Sequence, residues 1–130
     1  MFAGDNTETV TRLLAALRAR DEEAVAAELH PEVEAQGRRG PFRGVDAVVE
    51  WARPNDEGHL SSHIELDDVR EVGDRYVAVD ARRQWLWKET GDVGAEDRFG
   101  VLFEFRDGLV YRWHQEYPSI VDAIESIPAE

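Results

Sequence analysis

The sequence predicts an α+β domain in which N-terminal helices cover one face of a curved antiparallel sheet. Two observations carry this. Apolar residues recur at helical spacing from Val10 to Ala52, interrupted by one short strand, whereas from Ile64 to Tyr117 the period drops to two. Helices that precede a run of strands, with tight turns between the strands, indicate segregated layers and not a parallel doubly wound sheet. At 130 residues and 42% hydrophobic content, the chain is expected to form one domain, 1–130, with a real core.

The elements follow in order. Val10, Leu13, Leu14 and Leu17 at i, i+3, i+4 and i+7 predict an amphipathic helix over 7–20, with Asp5 and Glu8 as a capping pair in front. Asp21 caps a second short helix, which Val25 and Leu29 extend to His30-Pro31. Glu32 to Gln36 alternates as a short strand, and Gly37-Arg38-Arg39-Gly40-Pro41 breaks it. Val45, Val48, Val49 and Ala52 give a third helix that Pro54 ends, and the loop Asn55-Asp56-Glu57-Gly58 follows. Ile64, Leu66, Val69 and Val72 mark a long strand with an irregularity near Asp67-Asp68 and a turn at Gly73-Asp74. Arg75 to Lys88, Arg98 to Phe105 and Leu109 to Tyr117 are three more strands, the last two joined by the hairpin turn Arg106-Asp107-Gly108. Pro118-Ser119 starts a final helix carrying Ile120, Val121, Ile124 and Ile127.

Composition narrows the function. Without cysteine there is no disulfide framework, thiolate metal site or cysteine nucleophile, and a reducing cytoplasm is the expected location. No run approaches the ~20 apolar residues that span a bilayer, and Met-Phe-Ala-Gly-Asp has no basic and apolar leader pattern. A net charge of −13 repels phosphate backbones and anionic lipid, so neither nucleic acid nor membrane is an expected partner. Twelve aromatic residues (Trp 4, Tyr 3, Phe 5) argue against a disordered acidic chain. His63 and Glu65, two apart without a third ligand, do not make a zinc set, and no metal or cofactor is expected.

Four stretches then carry a resemblance: Leu29-His30-Pro31-Glu32-Val33-Glu34, Pro41-Phe42-Arg43-Gly44-Val45-Asp46-Ala47-Val48, Val72-Gly73-Asp74-Arg75-Tyr76-Val77, and Arg106-Asp107-Gly108-Leu109-Val110 running on to Tyr117 and Asp122-Ala123-Ile124. In that order they resemble the SnoaL-like branch of the nuclear transport factor 2-like superfamily, relatives of ketosteroid isomerase and polyketide cyclases. The resemblance implies a cone-shaped sheet enclosing a mostly apolar pocket. It also implies that ketosteroid isomerase's tyrosine, base and oxyanion-hole acid fall on Leu14, near Gln36 and on Val101, none of which supplies that chemistry. The cyclases' acid–base aspartate falls at or next to Gln115, a place Glu116 takes if the strand slips by one residue. Epoxide hydrolases of the superfamily hold an arginine between two aspartates in a similar place.

The family pattern turns Phe99, Val101, Phe103 and Phe105, together with Leu109, Tyr111, Trp113, Gln115 and Tyr117, toward the pocket. The same matching turns Ala78, Asp80, Arg82, Gln84 and Leu86 inward and leaves Val77, Val79, Ala81, Arg83, Trp85 and Trp87 outside, where the tryptophans predict a homodimer. Asp80 and Arg82, about 7 Å apart along one strand face, are then the candidate base and its orienting partner. A structural ion pair is the alternative. Leu14, Gln36, Trp51, Gln84, Val101, Phe103, Trp113, Gln115 and Tyr117 are the candidate ligand contacts. If the strand faces are reversed, Arg112, His114 and Glu116 become the competing site, because a one-residue shift flips every side chain. The expected function is a pocket for a small apolar or amphipathic molecule, with or without general acid–base isomerisation, cyclisation, dehydration or hydrolysis. The non-catalytic alternative is a ligand-binding or dimerisation module of the same fold.

Overall fold

The computed structural model describes residues 4–54 and 58–128, so the first three residues of the Asn55–Gly58 loop lie outside it. Helices α1 (Gly4–Arg18), α2 (Glu22–Ala27) and α3 (Val45–Ala52) are interleaved with strands β1 (Leu29–Gln36) and β2 (Phe42–Arg43). Strands β3 (Leu60–Val72), β4 (Tyr76–Trp87), β5 (Val93–Arg106) and β6 (Leu109–Tyr117) follow, and α4 (Ile120–Glu125) closes the chain. The sheet is open and curved, in the order β2-β1-β6-β5-β4-β3, and only the β1–β6 pair is parallel.

Local chemistry sets most boundaries. Asp21 accepts a hydrogen bond from the Ala24 amide and caps α2, and Ser119 does the same for α4 through the Asp122 amide. Two expectations shift at the ends of helices. The first helix begins at Gly4, so Asp5 lies in its first turn and not ahead of it. The second stops at Ala27, and Leu29 with His30 already belongs to β1, where the Val110 amide donates to the Glu28 carbonyl. The two-residue β2 is an element without a sequence expectation, and β5 starts at Val93, five residues before the expected Arg98.

One core fills the space between the helices and the sheet. Val10, Leu13, Leu14 and Leu17 of α1 and Val48 of α3 meet Val77, Val79 and Ala81 of β4, Phe99, Val101, Phe103 and Phe105 of β5, and Trp113 of β6. This overturns the expected faces of β4. Val77, Val79 and Ala81 pair across with Phe103, Val101 and Phe99 and point at the helices, so Ala78, Asp80, Arg82 and Gln84 point away. Burying three apolar side chains with the aromatic row of β5 outweighs any arrangement that brings Asp80 and Arg82 inside. Trp85 therefore faces the helix side, and Trp87 alone of the pair stays exposed, at 46%. The outer-face tryptophan pair that suggested a homodimer does not exist.

A smaller cluster on the outer face joins Ala78 and Leu102 to Ile120 and Ala123 of α4. Gly100 makes this contact feasible, because a Cβ there would run into the Ser119 carbonyl group. A Gly100→Ala variant is expected to lose about 1–3 kcal/mol, read as a lowered Tm in thermal unfolding. Unchanged melting would contradict the close approach of α4.

Candidate active site

Arg83 and Trp85 continue the inward face of β4 past Ala81, and there the cone opens into a cavity of about 310 Å³. Trp51, Trp113, Trp85, Leu17 and Ile64 supply its apolar wall. Trp51 and Trp113 meet edge to face with centroids 5.2 Å apart, and Phe103 backs Trp113 at 5.4 Å, which fixes that wall. Arg38 and Arg39 of the β1–β2 loop, Arg53 after α3, and Arg83, Gln115 and Glu116 supply the polar side. Gly37 keeps this side open, since a Cβ there would lie 3.3 Å from Trp51 and 3.6 Å from the Glu116 side chain.

Arg83 is shared by two carboxylates. Its Nε and Nη2 donate to the two oxygens of Asp97, opposite it on β5, at 3.3 and 3.0 Å, and Nη2 also donates to Glu116 Oε1 at 3.0 Å. The guanidinium carbon lies 4.6 Å from the Phe99 ring centroid, so an aromatic face supports the cation from below. Burial works against the charge on Arg83, but the hydrogen bonds and charges of Asp97 and Glu116 outweigh it and raise its pKa above the ordinary arginine value. Arg38 adds looser contacts, 3.5 Å to Glu116 Oε2 and 3.7 Å to Asp97 Oδ2.

A β-bulge delivers Glu116. His114 pairs with Leu102 and Tyr117 with Gly100, so Gln115 and Glu116 together stand opposite the single residue Val101. Glu116 takes φ +72°, a backbone region costly for a side chain of this kind, and its carboxylate is held inside with 16% of its side chain exposed. Beyond the bulge the face flips. Tyr117 packs against the outer cluster with Ala78 and Leu102.

The expected site residues therefore separate. Trp51, Trp113 and Gln115 line the cavity. Val101 and Phe103 are buried in the core below it, and Leu14 borders only a minor hollow of about 40 Å³. Gln36 is exposed and level with His114 on the outer face, because Ala35 takes the inward position beside Trp113. Asp80, Arg82, Gln84 and Tyr117 also lie on that outer face. There Arg82 pairs with Asp67 at 3.1 Å and Glu96 at 3.9 Å, not with Asp80, and Gln84 donates to Glu96 at 2.8 Å. The competing trio is split by the bulge. Arg112 and His114 approach Glu34 and Glu104 on the outer face, beside a cavity of about 190 Å³, and only Glu116 faces inward. Arg83 and Asp97 were missed. Plain alternation from Val77, Val79 and Ala81 would have found Arg83; Asp97 lies in the first part of β5, ahead of the expected start at Arg98.

A family model for the SnoaL-like domain matches residues 10–113. The chain belongs to the SnoaL-like domain family. No curated protein matches this SnoaL-like chain. Among solved structures it is similar to a nuclear transport factor 2-like protein of unknown function from Burkholderia pseudomallei, with 21% identity, TM-score 0.71, and 96% of this chain and 98% of that one covered. It is also similar to an LEH-like epoxide hydrolase from Mycobacterium tuberculosis, with 16% identity, TM-score 0.70 and coverage of 95% and 84%. A third, from the same organism and crystallised with estradiol-17β-hemisuccinate, shares 12% identity at TM-score 0.70, with 87% and 93% covered. These likenesses place the SnoaL-like chain in the nuclear transport factor 2-like fold. Among its described residues, no helix is long and apolar enough to cross a membrane.

Proposed function

We propose that the cavity is an active site for general-base catalysis on a small amphipathic carbonyl compound. The observation that carries this is Arg83 held between Asp97 and Glu116 on the floor of an aromatic-walled cavity. Asp97 takes both of its hydrogen bonds from Arg83 and anchors the guanidinium. Glu116 receives one strong bond on Oε1, while among the described residues Oε2 has only the 3.5 Å contact to Arg38 and is open to take a proton from a substrate. A base of this kind removes a proton from the carbon beside a carbonyl, and the electron pair moves onto the carbonyl oxygen. The N–H groups of Arg38 and Arg83 stand next to Glu116 as donors for that developing charge. Return of the proton to another carbon is isomerisation, and attack of the carbanion on a second carbonyl is cyclisation. At about 310 Å³ the cavity is at the small end of ligand sites. The similarity to an epoxide hydrolase and to a protein crystallised with a steroid ester supports a small-molecule role.

The test is exchange of the acidic α-protons of 2-tetralone in D₂O, followed by proton NMR. Wild-type protein is expected to accelerate exchange. Glu116→Gln should lose about 10²-fold or more of that acceleration while still binding the ketone, as read by tryptophan fluorescence. Binding without any acceleration would sink the catalytic reading and leave a ligand-binding module. That second reading is favoured by one observation: Arg38 leans on both carboxylates and neutralises them.

A further inference from the structure

We propose that the ligand of this cavity is an anion, a carboxylic acid with a flat apolar body, recognised by Arg39 together with Arg38 at the mouth. The proposal rests on the cavity of the reading above but not on its catalysis.

Four of the chain's fifteen basic residues line this one cavity, and all four are arginine. Their partners differ. Arg83 is paired through Nε and Nη2 with Asp97 and Glu116, and Arg53 is clasped by both oxygens of Glu22 through Nε and Nη2. Arg38 has only contacts of 3.5 and 3.7 Å, and Arg39 has no ion-pair partner among the described residues. The loop presents these two side chains together: the Gly37 amide donates to the Arg39 carbonyl at 3.1 Å, which folds the segment back over the cavity.

An uncompensated arginine beside a loosely held one offers a planar set of N–H donors that matches a carboxylate. The aromatic wall of Trp51, Trp85 and Trp113 supplies flat apolar surface for the rest of the molecule. Charge on the whole protein argues against a trivial explanation. The net −13 repels anions at a distance, so a preference for an anion in this cavity has to arise from the local guanidinium groups.

Three probes with one aromatic body separate the terms: 2-naphthylacetate, the neutral 2-naphthylacetamide and the cationic 2-(2-naphthyl)ethylamine. Titrated calorimetrically against the full chain, the carboxylate is expected to bind about tenfold more tightly than the amide, the size of one charge-assisted hydrogen bond. The amine should bind weakest. Arg39→Gln, an exposed position, should erase the carboxylate preference while leaving Tm unchanged, and Arg39→Lys should restore part of it. Equal binding of carboxylate and amide, no carboxylate binding at millimolar concentration, or a preference that survives Arg39→Gln would each overturn the proposal. Failure of the catalytic reading is distinguishable, because it is read from ketone exchange by the wild-type protein, whereas the carboxylate preference is read from binding alone.

Discussion

Replacing Val101 by aspartate should cost about 3–5 kcal/mol and leave the domain largely unfolded in moderate urea at neutral pH. Val101 is 5% exposed, faces Val79 across the sheet and stands opposite the Gln115–Glu116 bulge. A carboxylate there would have aliphatic neighbours on one strand and Glu116 on the other, with no cation from its own cross-strand partner. It would keep its proton in the folded state, so its folded pKa would rise above the unfolded value. By linkage, stability is then lost as pH rises through that interval, and the deficit against wild type should shrink at pH 4 relative to pH 8. Domains of this size are stable by only about 5–15 kcal/mol, so the effect is large. Urea denaturation of Val101→Asp and Val101→Thr at both pH values measures it. Equal stability of Val101→Asp and wild type at pH 8 would remove Val101 from the core.

The position of Val101 was legible in the sequence because β5 carries its own answer. Phe99, Val101, Phe103 and Phe105 alternate with Arg98 and Glu104, and a strand with one apolar face turns that face to the helices. The same reasoning applied to β4 gives the observed result, since Val77, Val79 and Ala81 form the more apolar row against Asp80, Arg82 and Gln84. Matching to relatives set this strand one residue out of register, and every side chain flipped. Arg83 and Trp85 also looked like outer residues, and both are amphipathic: their stems and rings pack while their polar ends stay at the cavity.

Glu116 marks a different limit. Gln115-Glu116-Tyr117 has no glycine or proline to announce a bulge, and glutamate is a poor choice for φ +72°. The bulge is held by tertiary contacts: Arg83 draws Glu116 inward while Tyr117 joins the outer cluster with Leu102. The sequence offered the two options, Gln115 or a slipped Glu116, and the structure takes both by placing the pair opposite one residue. That arrangement makes the site a cooperative unit of three strands, in which β4 gives the cation and β5 and β6 one carboxylate each.

Such a unit fails as a unit, and Arg83→Met is the substitution that shows it. The side chain of Arg83 is 17% exposed and that of Glu116 16%, so water screens the charges only in part. With the guanidinium gone, Asp97 and Glu116 lose their shared donor and face each other across the space that it filled, with only the loose Arg38 nearby. Each carboxylate then favours its protonated form, and the folded pKa of the pair rises above the ordinary carboxylate range. A raised folded pKa means stability that is intact below the unfolded value and is lost as pH increases through the folded one. Arg83→Met should therefore melt close to wild type near pH 4 and fall behind by about 1–3 kcal/mol at pH 8, a penalty discounted for partial exposure. Wild type itself should show no such loss, because the arginine stays charged across this range and its own contribution disappears only at far higher pH. The double variant Arg83→Met with Glu116→Gln removes one of the opposed charges and should recover most of the difference at pH 8. A pH-independent deficit in Arg83→Met, or no rescue in the double variant, would show that Arg83 acts through packing on Phe99 and Trp85 and not through its carboxylates.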